Sequence, residues 1–208
     1  MRAVAVTEFG GPEALHVVEV PEVHAGPGEV RVAVRAATVN PTDVGVRSGL
    51  YARLAGTPPQ WPAVPGMDVA GVVDEVGPGT DGRLAVGDRV MAIVLPSGSH
   101  GAYREQVALP AASVVALPAV RDGGVVVTVR GYRGEDAEQE LARGLRMVPV
   151  FVRDYAQNTA ALDRLREQAE AGEVTLRVAD LVPAADAAEA HRRMEAGGVR
   201  GRLVLDFG

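Results

Sequence analysis

Hydrophobic and polar positions alternate most clearly over residues 30–36, where Val30, Val32, Val34 and Ala36 fall on one side and Arg31 and Arg35 on the other. A period of two marks a half-buried strand, because successive side chains leave a strand on opposite faces. Shorter β-rich runs surround it. Residues 1–7 and 15–20, parted by Gly10-Gly11-Pro12, read as strand, turn, strand. Residues 69–76, 89–95, 101–109 and 113–116 follow, punctuated by glycine and proline as in a small barrel. The polar stretch 41–49 predicts one helical turn begun by Thr42 and Asp43, leading to Leu50-Tyr51 and a proline-rich loop at 58–62.

Beyond residue 116 the period changes. Residues 124–129 form a continuous apolar run of the kind buried on both faces of a parallel sheet. A helix is expected at 135–142 and a second apolar strand at 145–152, where Pro149 suggests an edge. Residues 155–171 read as a helix with an apolar stripe of Leu162, Leu165 and Ala169 and a C-terminal cap at Gly172. A strand at 174–178, a helix at 184–196 closed by Gly197-Gly198 and a strand at 202–207 complete the chain. The fold class is therefore mixed α/β: a β-barrel first, then strands alternating with helices.

Composition removes several functions. A chain of 208 residues can bury one large core or two small ones. With no cysteine, disulfides, iron–sulfur clusters and thiolate zinc are excluded, and His16, His24, His100 and His191 are too scattered to predict a metal site. The formal charge is −6 and the basic residues are spaced singly, against a nucleic-acid stripe. All the basic residues are arginine, which removes Schiff-base and P-loop lysine chemistry. No apolar run approaches the ~20 residues that span a bilayer, and the N-terminus lacks a signal-peptide core, so a soluble cytoplasmic protein is expected.

Three local motifs carry less than they suggest. Gly77-Pro78-Gly79-Thr80-Asp81-Gly82 has the spacing G-x-G-x-x-G, but a dinucleotide fingerprint must be followed by a helix whose N-terminus meets the pyrophosphate. Here a turn at Gly87-Asp88 and a strand follow, so a hairpin is expected. Ser97-Gly98-Ser99-His100 reads as a polar loop, since sequence neighbours rarely form a catalytic triad. The acidic pairs Asp74-Glu75 and Glu135-Asp136 are adjacent, point apart and are expected on solvated faces.

Five ordered motifs say more: Asn40-Pro41-Thr42-Asp43, Arg47-Ser48-Gly49-Leu50-Tyr51, Pro65-Gly66-Met67-Asp68-Val69-Ala70-Gly71, Val86-Gly87-Asp88-Arg89-Val90 and Gly101-Ala102-Tyr103-Arg104-Glu105. In that order they resemble the GroES-like catalytic domain of the medium-chain dehydrogenase/reductase superfamily, in its zinc-independent quinone-oxidoreductase (ζ-crystallin-like) branch. Residues 187–195 and 201–205 resemble the same family's C-terminus, which returns to the catalytic domain. The resemblance implies catalytic roles for Tyr51, Asn40 and Thr42, with Tyr51 donating a hydrogen bond or proton to a carbonyl and Asn40 orienting it. Trp61, Met67 and Tyr132 would line the substrate pocket. Asn40 could equally hold its turn and Tyr51 anchor its loop. Met67-Asp68 stands where zinc-dependent members carry a His-Glu pair, so no metal is implied.

The resemblance also exposes a gap. After Leu117-Pro118 the family runs into a full Rossmann domain of βαβ units of about 30 residues each, whereas residues 123–129 and 145–152 resemble only its fifth and sixth strands. Three regions are therefore expected: the first part of the GroES-like domain at 1–118, a truncated Rossmann remnant at 119–172 and a return at 173–208. No dinucleotide cofactor is expected, with Val129, Arg130 and Gly131 as residual nicotinamide-end candidates. An exposed edge strand predicts a homodimer through residues 124–152. Three functions stay open: binding or non-redox transformation of a quinone- or enone-like molecule, NADPH-dependent reduction, or an engineered or degenerate scaffold.

Overall fold

The computed structural model describes residues 1–116, 157–174 and 177–208. The expected strands at 124–129 and 145–152 and the helix at 135–142 lie outside the described residues, as do Val129, Arg130, Gly131, Tyr132 and the whole segment given to a dimer contact.

Strand β3 (Glu29–Thr38) organises the barrel. Its alternating valines are buried, Val30 and Val32 fully and Val34 nearly so, as the period of two requires. Strand β4 (Asp68–Val76) runs antiparallel along one edge, from Val30 opposite Val76 to Ala37 opposite Val69. The other edge is shared. Strand β6 (Gln106–Pro110) covers Glu29–Ala33, and the final strand, β9 (Arg202–Asp206), covers Ala36–Thr38. Strands β5 (Arg89–Ile93) and β7 (Val114–Ala116) extend the sheet beyond β4. A hairpin of β1 (Arg2–Ala5) and β2 (His16–Glu19) is tied on through bridges from Ala3 to Arg104 and from Val6 to Ala63.

A bulge in the β3–β4 ladder corrects one expectation. The register steps from Arg31 opposite Glu75 to Val32 opposite Val73, so two residues of β4 face one of β3. Asp74 and Glu75 therefore converge instead of pointing apart. Arg31 meets Asp74 at 2.8 Å and Glu75 at 2.9 Å, and only 15 % of its side chain is exposed. The hairpin at 77–82 is confirmed: β4 ends at Val76, Gly79 and Gly82 both take φ +75°, and the chain proceeds to β5.

Local signals set the helices. Residues 41–49 form more than the single turn expected: α1 (Pro41–Arg47) starts with proline in its first turn, and α2 (Leu50–Ala55) follows after Gly49 takes φ +72°. Helix α3 (Thr159–Glu170) begins where Asn158 Oδ1 accepts from the Ala161 N–H at 3.1 Å, and Gly172 closes it at φ +74°. Its stripe packs toward Met91, Ile93 and Val115 through buried Leu162. Of the strand expected at 174–178, residues 175 and 176 lie outside the described residues; β8 (Val178–Pro183) runs parallel to β9 and is joined to it through α4 (Ala187–Ala196). On α4, His191 and Glu195 are one turn apart, as are Asp43 and Arg47 on α1, so each pair shares a face. The buried Arg47 guanidinium meets Glu195 at 2.6 Å and donates to the Gly10 carbonyl at 2.8 Å, pinning the C-terminal helix to α1.

Candidate active site

The cluster grows from the point where β3 ends and α1 begins. Thr38, the last residue of β3, donates its hydroxyl to Asp68 Oδ2 at 2.6 Å. Asn40 donates one amide hydrogen to Thr38 Oγ1 at 2.9 Å and one to the same Asp68 oxygen at 2.7 Å. All three side chains are buried. Burial of so much polarity is tolerated only because each member satisfies the others. Thr38 and Asp68 form the polar wall of a cavity of about 50 Å³ whose other lining includes Ala36, Met91, Val115 and Leu162.

A second network lies behind the first. The Asp43 carboxylate accepts from the Asn40 N–H at 2.7 Å, the Gly66 N–H at 3.1 Å and the Tyr103 hydroxyl at 3.0 Å. The Tyr103 oxygen also lies 3.3 Å from His191 Nε2. Gly66 is needed for this closeness: at φ +104°, a Cβ there would sit 2.6 Å from the Tyr103 ring. Desolvation by burial pushes the Asp43 carboxyl up to about 7, against the downward pull of those three donors. Burial, helped by the Arg47 charge, lowers His191 to about 4. Burial and the neighbouring Asp43 push the Tyr103 phenol well above its usual range.

Of the residues singled out in the sequence, Asn40 lies at the centre of the buried network, with Thr42 in the first turn of α1 and partly buried. Met67 immediately precedes Asp68, is partly buried and accepts the Val94 N–H through its carbonyl at 2.8 Å. Tyr51 is on the surface, 43 % exposed, its ring laid over Gly45, where an added Cβ would come within 2.6 Å of it. Trp61 is 42 % exposed and packs against Phe9 with centroids 4.7 Å apart. Sequence reasoning missed Thr38, Asp68 as an acceptor, Tyr103 and His191. One signal was available: an asparagine followed three residues later by a carboxylate is the spacing of a helix cap in which Asp43 turns back to Asn40.

Two implied groups can be tested against these side chains. Among the described residues no three His, Asp or Glu side chains gather as a metal site, and the chain has no cysteine. Among the same residues none of the α-helices follows a G-x-G-x-x-G turn, since α1, α2, α3 and α4 begin after Asn40, Gly49, Asn158 and Asp186, and the helix start that does follow paired glycines, Gly10-Gly11, is the one-turn 3-10 helix Pro12–Ala14. The described residues therefore offer a pyrophosphate no fingerprint cradle. No helix among them is long and apolar enough to cross a membrane.

A barrel organised on one strand, with the C-terminal strand returned to its edge, defines the catalytic fold of a dehydrogenase. The alcohol dehydrogenase GroES-like domain matches residues 26–119, and the zinc-binding dehydrogenase family matches residues 102–205. The chain belongs to the medium-chain dehydrogenase/reductase superfamily and is quinone-oxidoreductase-like. The quinone oxidoreductase of Lama guanicoe is 41 % identical over 108 residues, 50 % of this chain but 30 % of that protein. The synaptic vesicle membrane protein VAT-1 homolog of Rattus norvegicus is 39 % identical over 120 residues, 57 % of this chain and 28 % of that protein. The matched part is thus under a third of each relative. The Escherichia coli quinone oxidoreductase solved with NADPH aligns with a TM-score of 0.75 at 17 % identity, over 99 % of this chain and 100 % of that one, which shows the shared fold.

Proposed function

We propose that this chain binds, and through proton transfer, cyclisation or isomerisation transforms, a small quinone- or enone-related molecule without a dinucleotide and without zinc. The observation that carries the reading is the pair Thr38 and Asp68 on the wall of an otherwise apolar cavity, held from behind by Asn40, a carboxylate placed at the edge of a small-molecule space. It is supported by the position of the sequence's one G-x-G-x-x-G, in the turn between β4 and β5. Asp68 is the group able to accept a proton there, with Asn40 and Thr38 holding its orientation. The test is titration of NADPH by its fluorescence. No saturation below about 100 µM is expected, whereas a Kd under about 10 µM, roughly −7 kcal/mol, overturns the reading.

That overturning result would favour NADPH-dependent reduction of a quinone or enone. The likeness of fold to an oxidoreductase solved with NADPH is the observation behind this second reading. We further propose a homodimer joined through residues 124–152; light scattering at micromolar concentration should give twice the mass of 21.6 kDa, and a monomer refutes it.

A further inference from the structure

A second depression, sharing no lining residue with the cavity beside Asp68, opens where the chain passes from α4 to β9. Helix α4 stops at Gly197, and Gly197 and Gly198 take φ +76° and +77°, so the chain turns sharply as the helix ends. Gly201 holds the turn close, since a Cβ there would lie 2.6 Å from the Arg177 carbonyl oxygen, and the Arg202 N–H donates to that oxygen at 2.8 Å. Arg200 is thereby brought to the same depression as Arg177, just before β8, and Arg193 of α4 joins them in its lining.

The charges in this lining do not cancel. Arg193 is matched by Asp180 at 2.9 Å. Among the described residues the guanidinium groups of Arg177 and Arg200 meet no carboxylate and make no hydrogen bond, although the chain as a whole carries a formal charge of −6. The backbone adds donors: among the described residues the N–H groups of Gly198, Val199 and Arg200 are not taken up, while that of Gly197 goes to the Met194 carbonyl at 3.2 Å. Opposing them is the C-terminus of α4, equivalent to about half a negative charge and so weaker than either guanidinium. The field in the depression is positive.

We propose that this depression binds a small molecule bearing a phosphate monoester. A doubly charged oxyanion balances two unmatched guanidiniums, each of which offers parallel N–H donors to a pair of its oxygens. The glycines, having no side chain, leave the backbone amides open to a further oxygen. A carboxylate or a sulfate ester carries a single charge and would leave one arginine unmatched. The volume, about 540 Å³, falls within the roughly 300–1,000 Å³ of small-molecule pockets, so the phosphate arrives on a larger body. Val178, Ala196 and Val199 supply apolar surface for it.

The probe is phenyl phosphate, set against phenyl sulfate, which has nearly the same shape and one charge fewer at about pH 8. Binding to the full chain at low salt is read from the backbone ¹H–¹⁵N signals of Gly198 and Arg200. Phenyl phosphate is expected to shift both with a Kd of about 1 mM, and phenyl sulfate to bind about fivefold more weakly. Arg177→Gln and Arg200→Gln, at exposed side chains on which no contact of the fold depends, should each weaken phenyl phosphate about fivefold. Arg164→Gln, at an exposed arginine of α3 outside the depression, should leave it unchanged. Equal losses in all three variants would reduce the effect to general attraction by arginine and overturn the site. Equal binding of the two probes, or no shift by about ten times the expected Kd, overturns it as well. Vesicles containing phosphatidic acid, whose headgroup is the same monoester, separate the source of the phosphate. Sedimentation with them that Arg177→Gln abolishes, without any response to phenyl phosphate, would place the phosphate on a membrane and overturn the soluble ligand. None of these failures touches the cavity beside Asp68, whose reading the NADPH titration decides.

Discussion

The Tyr103 hydroxyl donates to Asp43 Oδ2 across 3.0 Å, joining the bend that precedes β6 to the first turn of α1. The same oxygen is 3.3 Å from His191 on the C-terminal helix, so three distant segments share one buried hydroxyl.

This arrangement predicts two opposed pH dependences. Asp43 is raised from 3.8 to about 7, so its contribution to stability is full below about pH 4 and is lost as pH rises toward 7. His191 is lowered from 6.5 to about 4, so its contribution is full above about pH 6.5 and is lost as pH falls toward 4. In the wild type the two slopes largely cancel between pH 4 and 6.5. Urea unfolding across that range should show stability rising with pH in Asp43→Asn and falling with pH in His191→Gln. Parallel slopes in the two variants would refute the assignment.

Arg47 is 2 % exposed and Glu195 is 35 % exposed, so the two ends of their ion pair are unequal. Removing the carboxylate strands a buried guanidinium. Glu195→Ala should therefore destabilise the protein by about 3 kcal/mol, and Arg47→Met by less, because it removes the charge while keeping most of the volume. Denaturant midpoints for the two variants check the order.

Two glycines separate close packing from turn geometry. A Cβ on Gly71 would lie 2.1 Å from the Ala33 carbonyl oxygen of the paired strand, whereas nothing lies within 4 Å of one on Gly79, at φ +75°. Gly71→Ala should cost more than about 3 kcal/mol, since backbone cannot yield, and Gly79→Ala only about 1 kcal/mol, the cost of a left-handed alanine. Thermal unfolding would show it. NADPH titration of Gly79→Ala should match the wild type, because this glycine serves a turn.

Leu162 is 8 % exposed and is the buried member of the α3 stripe. Its truncation to alanine should cost about 2 kcal/mol, at the low end for core leucines because α3 can settle toward the sheet. Helicity lost over 159–170, followed by hydrogen exchange, would show whether this contact seats the helix.

Patterns of short range were legible in the sequence. The valines of β3, the turn at Gly79 and Gly82, the stripe of α3 and its Gly172 cap each rest on neighbours within a few residues, where periodicity and φ preference act. Their ends were less legible. Strand β8 begins at Val178 because parallel pairing with β9 sets its position, and that partner lies more than twenty residues onward in the chain.

The candidate site depended on longer distances still. The motif containing Asn40 marked the family, and Asp43 stood at capping distance from it, but Asp68 is 28 residues from Asn40 and His191 is 88 from Tyr103. Hydrogen bonds between such residues leave no period in the chain. Asp74 and Glu75 make the point from the opposite side: alternation sends neighbours to opposite faces, and one bulge brings both to Arg31. The sequence by itself determined that a barrel of this superfamily would form and that G-x-G-x-x-G at 77–82 would be a turn. Only the tertiary structure decided that Asn40 spends both its amide hydrogens on Thr38 and Asp68, because which donors remain free depends on partners that folding alone brings within 3 Å.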